Sequence, residues 1–151
     1  MAIRDTRVHN MSFLEYITMA CTHLWIVLEF YCMLECILVM IGGAIGALVR
    51  YGVTKMLPTE MFPSSTFAVN ITGSFLIGLF SAVIIKYGVT TVIIRHLIII
   101  GFLGSLTTFS TFSLDLVKLL DCGNYFVCII YLVFSVVLGL CSAFVGMKLI
   151  S

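Results

Sequence analysis

Four stretches of about twenty residues, near 34–56, 66–85, 96–116 and 125–147, are predominantly apolar, two of them without any charge and the others with charges toward their ends, and this pattern restricts the solvent in which the chain can fold. About twenty apolar residues in a helix match a hydrocarbon core about 30 Å thick. Lipid offers no partner to an open N–H or C=O, so each stretch must close its own backbone hydrogen bonds as a helix. The expected fold class is all-α and integral to the membrane, with four transmembrane helices. With 62% of the 151 residues hydrophobic and 10% charged, there is too little polar side chain to coat a water-soluble core. A formal charge of +1 without a basic cluster argues against a nucleic-acid partner, because phosphate contacts need Lys and Arg in number. Cys21, Cys32, Cys36, Cys122, Cys128 and Cys141 form no CxxC pair and read as small hydrophobic residues, not as metal ligands or disulfides.

The third stretch contains GFLGSLTTFSTFS, Gly101 to Ser113, which is unlike ordinary lipid-facing sequence. Thr107, Thr108, Ser110, Thr111 and Ser113 bring hydroxyls, while Gly101 and Gly104 weaken the helix. Glycine beside dense hydroxyls predicts a helix that breaks inside protein or beside a polar cavity. A break frees carbonyl oxygens. Freed carbonyls, helix ends and hydroxyls are the groups with which membrane proteins hold a small ion at depth. Phe109 and Phe112, spaced i, i+3, share one helix face. Such a pair usually packs against a neighbour, yet ring edges are partly positive and, beside amide and hydroxyl donors, can stabilise a small anion without a full charge.

The other stretches carry fewer signals. Gly42 with Gly46, and Gly43 with Ala47, repeat the GxxxG spacing that lets a second helix approach closely. Arg50, one turn beyond Gly46, either snorkels outward or lines a vestibule that attracts anions. Asn70 lies in a stretch free of ionisable residues, where its two N–H donors serve an anion or bind helices together; taken alone, the second reading is favoured. Tyr131 and Ser135, four residues apart, form a two-hydroxyl stripe for which interhelical hydrogen bonding is the simpler reading. His96 opens the third stretch as a structural or interfacial residue. Pro58 and Pro63 mark the first connection, and Gly123 and Asn124 the third.

Residues 1–32 form an N-terminal extension ahead of a 33–151 domain. Arg4 and Arg7 precede about a dozen apolar residues, too few to cross a bilayer, which suggests an interfacial segment or translation that begins at Met33. In the domain, Lys86, Arg95 and Lys148 fall at one end of the spans and Arg50, Lys55 and Lys118 at the other, so the positive-inside bias is nil. Copies can then insert in both directions and pair as an antiparallel homodimer about a two-fold axis in the membrane plane.

Three functional classes compete. An ion channel accounts for the hydroxyl cluster beside Gly104. A small proton-coupled multidrug exporter needs a titratable carboxylate at depth, whereas Glu35 and Asp115 sit near the ends of their stretches. A structural subunit without transport explains Asn70 and the glycine pairs but not TTFSTFS. An enzyme is not expected, since no nucleophile–base or carboxylate pair has a spacing that converges.

The segments GGAIGALVRYG at Gly42 to Gly52, FAVNITGSFLIG at Phe67 to Gly78 and GFLGSLTTFSTFS at Gly101 to Ser113, in this order and spacing, make residues 33–151 resemble the Fluc family of fluoride channels, also called CrcB proteins. The resemblance implies a dual-topology homodimer in the inner (plasma) membrane, two antiparallel pathways, and passive export of fluoride that relieves its toxicity. It also implies a central sodium ion that is structural and not transported. By the same resemblance, Asn70, Phe109, Phe112, Ser110, Thr111, Tyr131 and Ser135 belong to the fluoride pathway and Arg50 to its vestibule. The backbone carbonyls of Gly104 and Thr107 would hold the sodium. The chain departs from the pattern at Gly139, where the hydroxyl track of the last helix would continue, at Asp115, where many relatives carry glutamate, and before Met33. Fluoride is small and strongly hydrated, so a pathway must replace lost water with N–H and O–H donors and ring edges at close range.

Overall fold

A computed structural model describes residues 13–57, 62–88 and 91–150; Arg4, Arg7, His9 and Pro58 fall outside them. Among the described residues the chain is helical. Helix α1 runs Phe13–Met56 and α2 Ser64–Tyr87; a π-helix Ile93–Leu103 passes into a single turn, α3, Gly104–Leu106; α4 is Phe109–Asp121 and α5 Tyr125–Lys148. Four helical runs, Ile17–Met56, Ser64–Tyr87, Ile93–Asp121 and Tyr125–Lys148, are long and apolar enough to cross a membrane. The chain is a multi-pass membrane protein. Helix α1 begins well before residue 34, because no proline or glycine interrupts the run from Phe13 to Ile41.

Contacts divide the chain into two compact units, Met1–Leu34 and Glu35–Ser151. In the first, side chains such as Leu24, Trp25 and Phe30 are exposed. The second holds the glycine pairs, the hydroxyl cluster and the charged ends.

Local chemistry sets its turns. Gly88 ends α2 with φ 62°, a left-handed conformation that other residues enter at a cost, and its N–H donates to the Ile84 carbonyl at 2.9 Å. Gly123, with φ 74°, is the left-handed residue of the turn between α4 and α5, and its N–H donates to the Leu120 carbonyl at 3.0 Å. Pro63, which has no N–H to leave unpaired, precedes α2 and accepts from the Phe67 N–H at 3.0 Å.

Little of the packing rests on burial of apolar surface, since lipid is as apolar as a leucine side chain. It rests on close approach. A Cβ placed on Gly42 would fall on the Leu97 carbonyl and one on Gly46 on the Phe102 carbonyl, so α1 and the π-helix lie backbone against backbone. Gly101 answers from the π-helix, its Cβ position 2.8 Å from the Val39 carbonyl oxygen. Helices α2 and α5, which run antiparallel, meet in the same way: the Cβ position of Gly78 is filled by the Ala143 carbonyl and that of Gly146 by the Phe75 carbonyl. The GxxxG reading of the first helix therefore holds, and a second glycine contact joins α2 to α5. Two small apolar clusters complete the fold, one of Val69, Leu103 and Leu106, the other of Phe112, Leu119, Cys128 and Tyr131. No feature of the local sequence announces the π-helix.

Candidate functional site

The third span breaks where hydroxyls are densest. Thr107 (φ −84°, ψ 149°) and Thr108 (φ −150°, ψ 121°) are extended, between the end of α3 at Leu106 and the start of α4 at Phe109. The expected break is present, three residues beyond Gly104.

Asn70 of α2 holds it open. Its Oδ1 accepts from the Thr108 N–H at 2.9 Å, and its Nδ2 donates to the Thr108 carbonyl at 3.3 Å. The Thr108 side chain then caps α4, its Oγ1 accepting from the Thr111 N–H at 3.2 Å. Thr107 turns its hydroxyl back onto the Leu103 carbonyl, 2.9 Å away, and its methyl group occupies the space that a Cβ on Gly73 would need.

These bonds have a shared consequence. In an unbroken helix the Gly104 carbonyl would accept from the Thr108 N–H and the Thr107 carbonyl from the Thr111 N–H. Both donors are committed elsewhere, the first to Asn70 and the second to the Thr108 hydroxyl. Two carbonyls at the break thereby lose their helical partners. The Ser105 carbonyl, whose helical partner would be Phe109 across the break, accepts from Arg50 Nε at 3.1 Å. Arg50 thus ties α1 to the broken end, a role that neither snorkelling nor a vestibule anticipates.

Beside the break lies a cavity of about 400 Å³. It gathers Asn70 and Ser74 from α2, Gly104, Thr107, Phe109 and Phe112 from the third span, and Ser135 from α5, and no lining residue is charged. Ser135 Oγ is buried and has no hydrogen-bond partner. The two rings are 5.9 Å apart at their centroids and tilted by 44°. Phe109 is 79% exposed at the cavity edge, whereas Phe112 is 7% exposed and packs on Tyr131.

Not every expected residue reaches the cavity. Ser110 and Thr111 turn their hydroxyls to Thr108 Oγ1, at 3.1 and 3.2 Å, and so belong to the cap of α4. Tyr131 is fully buried behind Phe112, with ring centroids 5.1 Å apart, and Phe62 meets its other side edge-on at 5.3 Å. Its hydroxyl points to Asp115 Oδ2 at 3.5 Å, and Thr66 Oγ1 donates to the same oxygen at 2.8 Å. Sequence reasoning assigned no role to Thr66 or Ser74; both lie in the FAVNITGSFLIG segment or one residue before it, and only the fold brings them to their partners.

The chemistry of the site is neutral. It offers amide and hydroxyl donors with aromatic edges to a small anion, and unpaired carbonyl oxygens to a small hard cation. Among the described residues no three His, Cys, Asp or Glu side chains come together as a metal site.

Residues 37–147 match the family described as CrcB-like protein, Camphor Resistance (CrcB). The Fluoride-specific ion channel FluC of Saccharophagus degradans is 43% identical over 113 residues, which cover 74% of this chain and 85% of that protein. Fluoride-specific ion channel FluC 1 of Staphylococcus aureus strain NCTC 8325 is 38% identical over 116 residues, covering 77% and 96%. FluC 2 of Staphylococcus saprophyticus is 34% identical over the same length and shares. A family match over most of its length, together with relatives that align almost end to end at this identity, places the chain in the CrcB family.

Proposed function

We propose that the protein is a fluoride-selective channel that lets fluoride leave the cell passively across the plasma membrane and so relieves its toxicity. The observation that carries this reading is the uncharged cavity at the helix break, where Asn70, Ser135, Phe109 and Phe112 converge. The names of the relatives support it. One N–H of the Asn70 amide is committed to Thr108, which leaves the second as a donor. That N–H, the unpartnered Ser135 hydroxyl and the ring edges replace the water that fluoride sheds. A Lys or Arg in the lining would hold the ion too firmly for it to leave.

The assembly belongs to the same proposal: two copies in opposite orientations pair as a homodimer with two pathways. The balance of basic residues at the two ends of the spans supports it. So does Lys86, which donates to the Ile150 carbonyl and gathers the second connection and the chain end on one side. Phe109, exposed at the cavity edge, would find its missing wall in the second copy. A structural, untransported sodium ion would be held by the Gly104 and Thr107 carbonyls, and the loss of their helical donors is the property such ligands require. In the pathway, Tyr131, Ser110 and Thr111 act through the groups they support: Tyr131 backs Phe112, and the other two hold the Thr108 cap.

The exporter reading is less well supported, since the cavity has no carboxylate to carry a proton. The test is fluoride efflux from liposomes containing purified protein, with chloride efflux as the control. Rapid fluoride release with little chloride loss is expected; no release from well-folded protein would return the family motif to a packing role.

A further inference from the structure

The hydroxyl stripe on α5 stops early. Tyr131, Ser135 and Gly139 are spaced four residues apart and share a face, but the third position has no side chain. What faces it comes from α2: the Cβ position of Gly139 is 3.7 Å from Ser74 Oγ. Ser74 and Ser135 line the same cavity.

A serine or threonine in a membrane helix commonly turns its hydroxyl back onto the carbonyl four residues earlier. Thr54, Thr107 and Ser113 do so here, onto Arg50, Leu103 and Phe109, at 3.0, 2.9 and 3.0 Å. Ser142 instead reaches across to the Ile71 carbonyl at 3.0 Å. Ser74 makes neither kind of bond among the described residues, and Ser135 Oγ, buried on the facing helix, has no partner either. Two hydroxyls from opposite walls therefore keep their O–H groups uncommitted, at a depth where an unpaired donor costs free energy unless something else accepts from it. An anion in the cavity is such an acceptor.

We infer that Ser74 is a further anion-coordinating residue of the pathway, one that takes over from α5 where the stripe ends at Gly139. The inference rests on the channel reading and names a donor within it. Glycine at 139 suits this arrangement, because the absence of a side chain leaves the Ser74 hydroxyl open to the cavity. The 3.7 Å separation also means that a small side chain at 139 can be admitted without a clash.

The experiment is fluoride efflux from liposomes with wild type, Ser74→Ala, Ser74→Thr and the double variant Ser74→Ala with Gly139→Ser, each first shown by size exclusion to be as well assembled as wild type. Ser74→Ala should lose about tenfold in rate, the factor that one hydrogen bond to an ion carries. Ser74→Thr should keep most of the flux, and the double variant should regain it by returning a hydroxyl to the same place from α5. Wild-type rates in Ser74→Ala would overturn the assignment, as would a loss shared by Ser74→Thr and left unrepaired in the double variant. Absence of flux in wild type would instead overturn the channel reading itself.

Discussion

The side-chain amide of Asn70 pairs with the backbone of Thr108 from both of its ends, Oδ1 with the N–H at 2.9 Å and Nδ2 with the carbonyl at 3.3 Å. An amide side chain thus stands in for a peptide group at the point where the third span leaves its helix. One residue both opens the break and faces the cavity that the break creates.

Asn70→Asp separates these tasks. The carboxylate keeps an acceptor for the Thr108 N–H but loses both N–H donors and brings a negative charge to the cavity. Fluoride efflux should be abolished while the protein still elutes as a folded species. Asn70→Leu should in addition lower thermal stability, by about 1–2 kcal/mol for the lost interhelical bonds. Normal flux in Asn70→Asp would remove Asn70 from the pathway.

The two phenylalanines should respond differently, because one is exposed and the other is packed. Phe109→Ile removes a ring that is mostly exposed and meets the buried cluster only at Phe112, and should reduce fluoride efflux with little change in melting temperature. Phe112→Ile removes a ring from Tyr131 and should reduce efflux and also cost about 1 kcal/mol of stability. Unchanged flux in both variants would end the account based on ring edges.

At the glycine contacts the expected effect is on folding. Gly46→Val would drive a side chain into the Phe102 carbonyl and should cost about 1–3 kcal/mol or prevent assembly. Gly52→Ala, on the same helix with open space around its Cβ position, should be neutral or slightly stabilising. Equal yields and equal melting curves for the two variants would show that α1 does not pack through Gly46.

Sodium removal tests the proposed use of the freed carbonyls. Purification with N-methyl-D-glucamine in place of sodium should lower the melting temperature and shift the assembly toward smaller species on size exclusion, and restored sodium should reverse both changes. Insensitivity to the exchange would show that the Gly104 and Thr107 carbonyls find other partners.

Much of this arrangement can be read from the sequence, because its determinants are local. Runs of about twenty apolar residues dictate helices, GxxxG spacing dictates close approach, and glycines among hydroxyls dictate a break. What escapes the sequence is decided by residues distant in the chain. Within Gly101–Ser113 the break falls at Thr107 and Thr108, where Asn70, 38 residues earlier, captures the Thr108 backbone. Tyr131 withdraws behind Phe112 because Asp115 and Thr66, on two other helices, offer its hydroxyl a destination. The third span continues past residue 116 to Asp121 because Asp115 and Lys118 mark a polar surface without stopping a helix.

The paired contacts of Gly78 beneath Ala143 and Gly146 beneath Phe75 act like two pins through a joint. A slip of one residue between α2 and α5 would bring Val145 or Met147 onto the Phe75 carbonyl, where only a hydrogen atom fits. The wall that carries Asn70 and Ser74 is therefore locked in register with the wall that carries Ser135. The spacing between these two walls is thus set once, when the chain folds, and thermal sliding of α2 along α5 does not alter it.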